Sequence, residues 1–218
     1  MITRALLCRF AALAISLPVP FVGGCASSAN EKGTQTSESI QTVASELRTT
    51  SDRIGSTLTK LNTLATTKTG DARPLFKSYS ESLESLTSAA KAVQAHADKM
   101  KATGDQYFAD WDKKLAEINN EDIKARSQAR REEVRAQFAR IRTLYGNARD
   151  QFQPFMANLR DIRSALNTDL TQTGIAALDP SIKQAGVEGA AVRSTIESLI
   201  KEFDALGVEM SSKAAPAK

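Results

Sequence analysis

Few residues of this 218-residue chain are equipped for covalent chemistry. Cys8 and Cys25 are its only cysteines, and a thiolate is a strong nucleophile. His96 is the single histidine and the one side chain that ordinarily titrates near neutrality. It flanks an apolar stripe between Val93 and Ala97 and has no second histidine to share a metal. Acid pairs stand at Glu81 with Glu84 and at Glu132 with Glu133. Helix surfaces carry many such pairs, and these define no glycosidase site. There is no Gly-x-Ser-x-Gly elbow, no His-Glu-x-x-His and no phosphate-cradling glycine loop. Trp111 with Phe108 has the makings of an aromatic clamp. Phe138, Tyr145, Phe152 and Phe155 have those of a lipid slot, although both sets fall at core-packing helical spacing. No catalytic residue, metal ligand or cofactor is assigned, and an enzyme is the least expected class. The thiol of Cys25 is left as the chemistry to explain.

Cys25 closes a distinctive leader. Arg4 and Arg9 make a basic start, and Phe10 to Val22 is almost wholly apolar, with Pro18 and Pro20 late in the run. This is the layout of a secretory signal peptide, too short to span a membrane as a helix. The run V-G-G-C at 22–25 resembles the lipobox of bacterial lipoproteins: an aliphatic residue, two small ones, then cysteine. The resemblance implies that Cys25 is acylated, that cleavage leaves it as the first mature residue, and that lipid holds the protein on a membrane. Ala26, which is not an Asp, points by analogy with enteric bacteria to the outer membrane. Cleavage removes Cys8, so no thiol pair remains for a disulfide and stability rests on packing. It also removes Arg4 and Arg9, which lowers the net charge from +4 to +2. That balance does not argue for nucleic acid.

The mature chain divides by pattern. Residues 25–36 read as the lipidated cysteine and a flexible polar tether, 37–210 as a helical body and 211–218 as a disordered tail. Ile40, Leu47, Ile54 and Leu61 recur every seven residues, with Val43 and Leu64 in the companion series. Gly70 and Asp71 stop this helix, and Arg73-Pro74 starts the next. A stripe of three- and four-residue steps runs from Tyr79 to Ile118, and Gly104 lies on it in phase, which predicts close approach of a neighbour. Asn119-Asn120 ends this helix and caps a third. The third carries two heptad series, one through Val134, Ile141, Ala148, Phe155 and Ile162, the other through Phe138, Tyr145, Phe152, Leu159 and Leu166. Pro154 is expected to kink it without ending it. Thr173-Gly174 is read as its close, and Asp179-Pro180 as the start of a fourth helix ending near Met210.

These patterns predict an all-α, elongated, antiparallel four-helix bundle or coiled coil. The outer two helices are too short to cover the inner two. A hairpin of the second and third helices is therefore expected to protrude by about 20 Å or more. Its tip points toward the anchored end. Trp111 is expected opposite Ala129, and Leu115 opposite Ala125. Lys124, Arg126, Arg130, Arg131 and Arg135 are the candidate membrane or partner contacts there, with Arg140 and Arg142 beyond them. Each such cation near anionic headgroups contributes about 1 kcal/mol. The alternative is that they pair with Asp105, Asp110, Asp112 and Glu117 as an ordinary solvated helix face.

From Tyr107 onward the chain resembles a bacterial family known as domain-of-unknown-function family 2959, whose members look like secreted helical proteins, often with a lipoprotein signal. The residues that carry this are FADWDKKL (108–115), SQARREEVRAQFARI (127–141), QPFMANLRDIRSALNTDL (153–170) and GIAAL (174–178). A histidine is expected before the Leu-Asn pair, where this chain has Ser164-Ala165-Leu166-Asn167. The family implies a fold and a compartment but no activity, cofactor or partner.

Three functions fit these observations. The leading one is a non-enzymatic structural or adaptor lipoprotein of the bacterial cell envelope, facing the periplasm. It would meet a protein partner, or itself, through coiled-coil surfaces. A second is attachment to peptidoglycan through Lys218, since a lipid-anchored helical protein ending in lysine resembles the murein lipoprotein. The third is binding of a lipid or other hydrophobic ligand between helices.

Overall fold

The computed structural model describes residues 29–210, with side chains from Glu31 onward. All regular elements among them are helices: α1 (Ala29–Thr66), α2 (Arg73–Glu117), α3 (Glu121–Thr168), α4 (Gln172–Ala177) and α5 (Asp179–Met210). At 1.5 Å per residue the 48 residues of α3 extend roughly 72 Å, so the body is elongated. Residues 1–28, with the expected signal segment and Cys25, and residues 211–218, with Lys218, lie outside the described residues.

Side-chain contacts fix the directions of the four long helices. Thr57 Oγ1 lies 3.0 Å from Ser82 Oγ, and His96 lies beside Glu46, so α1 and α2 are antiparallel. Ser37 Oγ donates to the Gly207 carbonyl at 2.8 Å and Arg193 donates to Ser51, so α1 also runs antiparallel to α5. Asn158 meets Glu188, and Thr195 meets Gln151, which sets α3 antiparallel to α5. Tyr79, wholly buried on α2, donates its hydroxyl proton to the Leu159 carbonyl of α3 at 2.6 Å. Helix α1 packs closely along α2 and α5, and α3 along α5, whereas α2 and α3 touch from Tyr79–Leu159 to Trp111–Ser127 but approach each other less closely.

The heptad residues occupy the shared interior. Ile40, Ile54 and Leu61 of α1 are fully buried, as are Phe155, Leu159 and Leu166 of α3. They meet Leu86 of α2 and Ala185, Leu199 and Phe203 of α5. Gly104 is buried against α3 as its phase predicts: a Cβ there would stand 2.9 Å from Phe138 Cε1. Pro154 sits inside an unbroken α3.

Two boundaries and the length of the overhang differ from the sequence pattern. Helix α1 begins at Ala29, so residues 29–36 are not tether. Thr36 donates its hydroxyl proton to the Lys32 carbonyl at 2.8 Å, and both Thr36 and Ser37 are buried. Gly33 is buried facing Tyr107, and Lys32 pairs with Asp110. The third helix ends at Thr168 rather than Gly174, because Asp169 and Thr171 begin new hydrogen-bonding patterns. Asp169 accepts from the Thr171 N–H at 3.0 Å and Thr171 Oγ1 from the Gly174 N–H at 3.1 Å. The short α4 follows, which makes five helices among the described residues in place of four. Finally, the longer α1 shortens the uncovered end of α2 and α3. Lys32 reaches Asp110, and Glu209 of α5 reaches Arg130. Beyond those pairs α2 continues to Glu117 and α3 begins at Glu121, roughly 10 and 14 Å at the helical rise. No residue from 109 to 130 is buried.

Candidate interaction surfaces

The tip is built by a cap and a small seam. Asn120 Oδ1 accepts from the N–H groups of Asp122 and Ile123 at 3.0 and 3.1 Å, which starts α3. Trp111 donates its indole proton to Ser127 Oγ at 3.0 Å, two residues from the expected partner Ala129. Tyr107 lies edge-on to Trp111. Ile123 is 57% exposed at the very end, beside half-buried Ile118.

The five candidate cations do not form one surface. Arg131 is 6% exposed, turned inward and paired with Asp112 at 2.6 Å and Glu132 at 3.0 Å, so it is not available as a headgroup contact. Arg130 pairs with Glu133 and Glu209. Arg135 lies over the Phe108 ring, 5.7 Å from its centroid, in a cation–π contact. Lys124 stands 4.0 Å from Glu121. Arg126 is exposed. Of the four acids expected to neutralise this row, Asp112 does so through Arg131. Asp110 pairs with Lys32 and Lys113, Asp105 with Lys101, and Glu117 with Lys114. The Lys32 hydrogen bond holds the Asp110 carboxyl down at about 2, with Gln106 adding to it.

His96 is partly exposed, and its Nδ1 stands 3.7 Å from Glu46. Among the described residues no group of three or more His, Cys, Asp or Glu side chains could hold a metal ion. Nor is any described helix long and apolar enough to cross a membrane.

The looser α2–α3 approach leaves a groove between these helices. It consists of two adjoining troughs of about 420 and 500 Å³ that meet at Asp98 and Tyr145. Val93, Ala97, Met100 and Gly104 of α2 and Ile141, Ala148 and Met156 of α3 form its apolar floor. The heptad series of α3 divides here. Val134, Ile141, Ala148 and Phe155 enter the core, whereas Phe138, Tyr145 and Phe152 stay half-buried and line the groove. Burial raises the Tyr145 hydroxyl above its usual range, and nearby Asp98 adds to the shift.

Charges rim the groove at the same period. On α3, Arg135, Arg142 and Arg149 each precede an aromatic groove residue by three positions. On α2, Asp98, Asp105 and Asp112 stand seven apart. The sequence pattern brings out the aromatic series, Arg135 and Arg142, and Asp105 and Asp112 as candidate partners, but not Asp98 or Arg149. The repeated Arg-x-x-aromatic spacing was the available signal.

These features define an elongated all-α protein whose long helices share one core and leave a groove and a tip uncovered. The match of residues 29–211 to the family model described as a protein of unknown function, DUF2959, shows that the chain belongs to that family. No curated protein and no solved structure matches the chain.

Proposed function

We propose that this chain is a lipid-anchored, non-enzymatic structural or adaptor protein of the bacterial cell envelope. It is held at Cys25 and works through the faces of an antiparallel helical bundle whose α2–α3 hairpin protrudes. The outer membrane is the destination that Ala26 favours. One observation carries the reading: α1 begins four residues after Cys25, at the same end of the molecule as the α2–α3 tip. Four residues reach at most about 14 Å, and the tip projects roughly 10–14 Å past the start of the α1 contacts. An acyl group on Cys25 therefore keeps the tip within reach of the headgroups. Charge contributes little to that contact, because Glu117, Glu121 and Asp122 stand among Lys124 and Arg126. Ile118 and Ile123 are the apolar contribution.

Intact mass of the protein purified from membranes tests the anchor. The expected product starts at Cys25 and carries acyl mass on that residue. A product that retains residues 1–24, or has an unmodified Cys25 and washes off membranes, sinks the reading. Crosslinking in cells from positions 108–135 tests the adaptor half. A defined, reproducible partner or self-adduct is expected, and lack of any adduct above background counts against it.

A further inference from the structure

The groove between α2 and α3 carries two opposed charge rows, in which Asp98 and Arg142 stand without an ion-pair partner among the described residues. Seven helical residues advance about 10.5 Å, so the three arginines of α3 form a row of roughly 21 Å, as do the three aspartates of α2. No ion pair among the described residues joins one row to the other. Asp105 is held by Lys101 on its own helix, Asp112 by Arg131, and Arg149 by its neighbour Asp150. Between the rows lies an apolar floor with Phe138, Tyr145 and Phe152 half-buried along one wall.

We propose that this groove receives one amphipathic helix of a partner protein, with an apolar seam, an acidic flank against α3 and a basic flank against α2. The pattern selects this occupant over others. A lipid concentrates its charge at one end and leaves the repeats of Arg135, Arg142 and Arg149 unused. A single-stranded nucleic acid or other polyanion suits the arginines, and Lys91 and Lys101 on the α2 rim, but is repelled by Asp98, Asp105 and Asp112 that stand between and beyond them. A helix with heptad repeats offers both flanks at the spacing the two rims show, with its seam between them. Aromatic side chains beside the seam supply contact area with little rotamer loss.

This inference deepens the adaptor half of the proposed function and rests on it, not on the lipid. Acyl mass at Cys25 and helix binding in the groove are scored independently, so failure of one is distinguishable from failure of the other.

The test uses the full chain and a fluorescein-labelled synthetic peptide of three heptads, with Leu in the seam, Glu on one flank and Lys on the other. Saturable anisotropy change is expected. The double reversal Arg142→Glu with Arg149→Glu should weaken binding by about tenfold or more and shift preference to a peptide with Lys on both flanks. Far-UV circular dichroism verifies that the variant stays folded. A photoreactive group in the peptide seam should crosslink to 91–108 of α2 and 135–156 of α3. Failure of the mixed-flank peptide to bind overturns the proposal. So does binding that ignores the double reversal, crosslinks that map elsewhere, or displacement of the peptide by oleate or a single-stranded oligonucleotide at lower concentration than unlabelled peptide.

Discussion

Gly186 and Gly189 lie three residues apart on α5 but face different surroundings. A Cβ at Gly189 would meet Leu58 Cδ1 at 2.6 Å and Phe155 Cε2 at 3.1 Å, and Phe155 is fully buried. A Cβ at Gly186 would meet nothing within 4 Å. Alanine improves helix propensity at both sites by about 1 kcal/mol, while overpacking a core costs about 1–3 kcal/mol. Gly189→Ala should therefore lower stability by up to about 2 kcal/mol. Gly186→Ala should raise it by about 0.5–1 kcal/mol. Urea unfolding read by circular dichroism measures both; equal effects would mean that the α5–α1 approach is looser than described. Asp110 makes a second residue-scale prediction. Its folded value of about 2 lies below the ordinary 3.8, so the free chain binds the proton more readily than the folded one. The stabilisation from Lys32 is present above pH 3.8 and is lost as pH falls through about 2. Thermal melts of the parent should drop more steeply than those of Asp110→Asn between pH 5 and 2, and parallel curves would remove the pair from the account.

Within the elements, stability should be uneven. The core residues of all four long helices fall outside 109–130, and the single tryptophan, Trp111, sits within that stretch. A segment with few buried contacts opens before the rest. Trp111 fluorescence should therefore change at lower urea than the far-UV signal, and coincident transitions would show that the tip unfolds with the body. The same unevenness explains what the sequence disclosed. Heptads at Ile40, Leu47, Ile54 and Leu61 mark a buried face directly, and all four are buried. Asn120 announced its cap through side-chain chemistry, and Gly104 its close contact through phase. The onset of α1 was hidden because Gly33, Thr36 and Ser37 show no apolar period; their burial depends on Tyr107 and Gly207, far away in sequence. The break after Thr168 was hidden because Leu170 and Ile175 continue an apolar pattern across the Asp169 and Thr171 turns. Periodicity also cannot tell a heptad position facing the core from one facing a groove. Ala148 and Tyr145 lie half a heptad apart on the same helix and differ in what the neighbouring helix covers.

At the scale of the whole molecule, the proposed lipid anchor sets which end would meet a membrane. Lys32 with Asp110 and Arg130 with Glu209 bring the start of α1, the end of α5 and the base of the tip to one level. A lipid on Cys25 acts within about 14 Å of α1, while the groove begins near Asp112 and runs away from that end. The proposed arrangement thus stands the tip on the headgroups and presents the groove along the side, where a periplasmic helix can reach it. Trp111 lies about 9 Å of helical rise from the end of α2, close enough to report that contact. In vesicles bearing a headgroup spin label, Trp111 of the acylated chain should be quenched, and Cys25→Ala, which cannot be acylated, should not be. Replacing Ile118 and Ile123 by Asp should reduce the quenching while the protein still sediments with the vesicles, since the lipid rather than the tip supplies the affinity. Iodide quenching that persists at full strength in the vesicle-bound acylated protein, with no effect of the lipid label, would place the tip in water and leave the tether to set a different orientation.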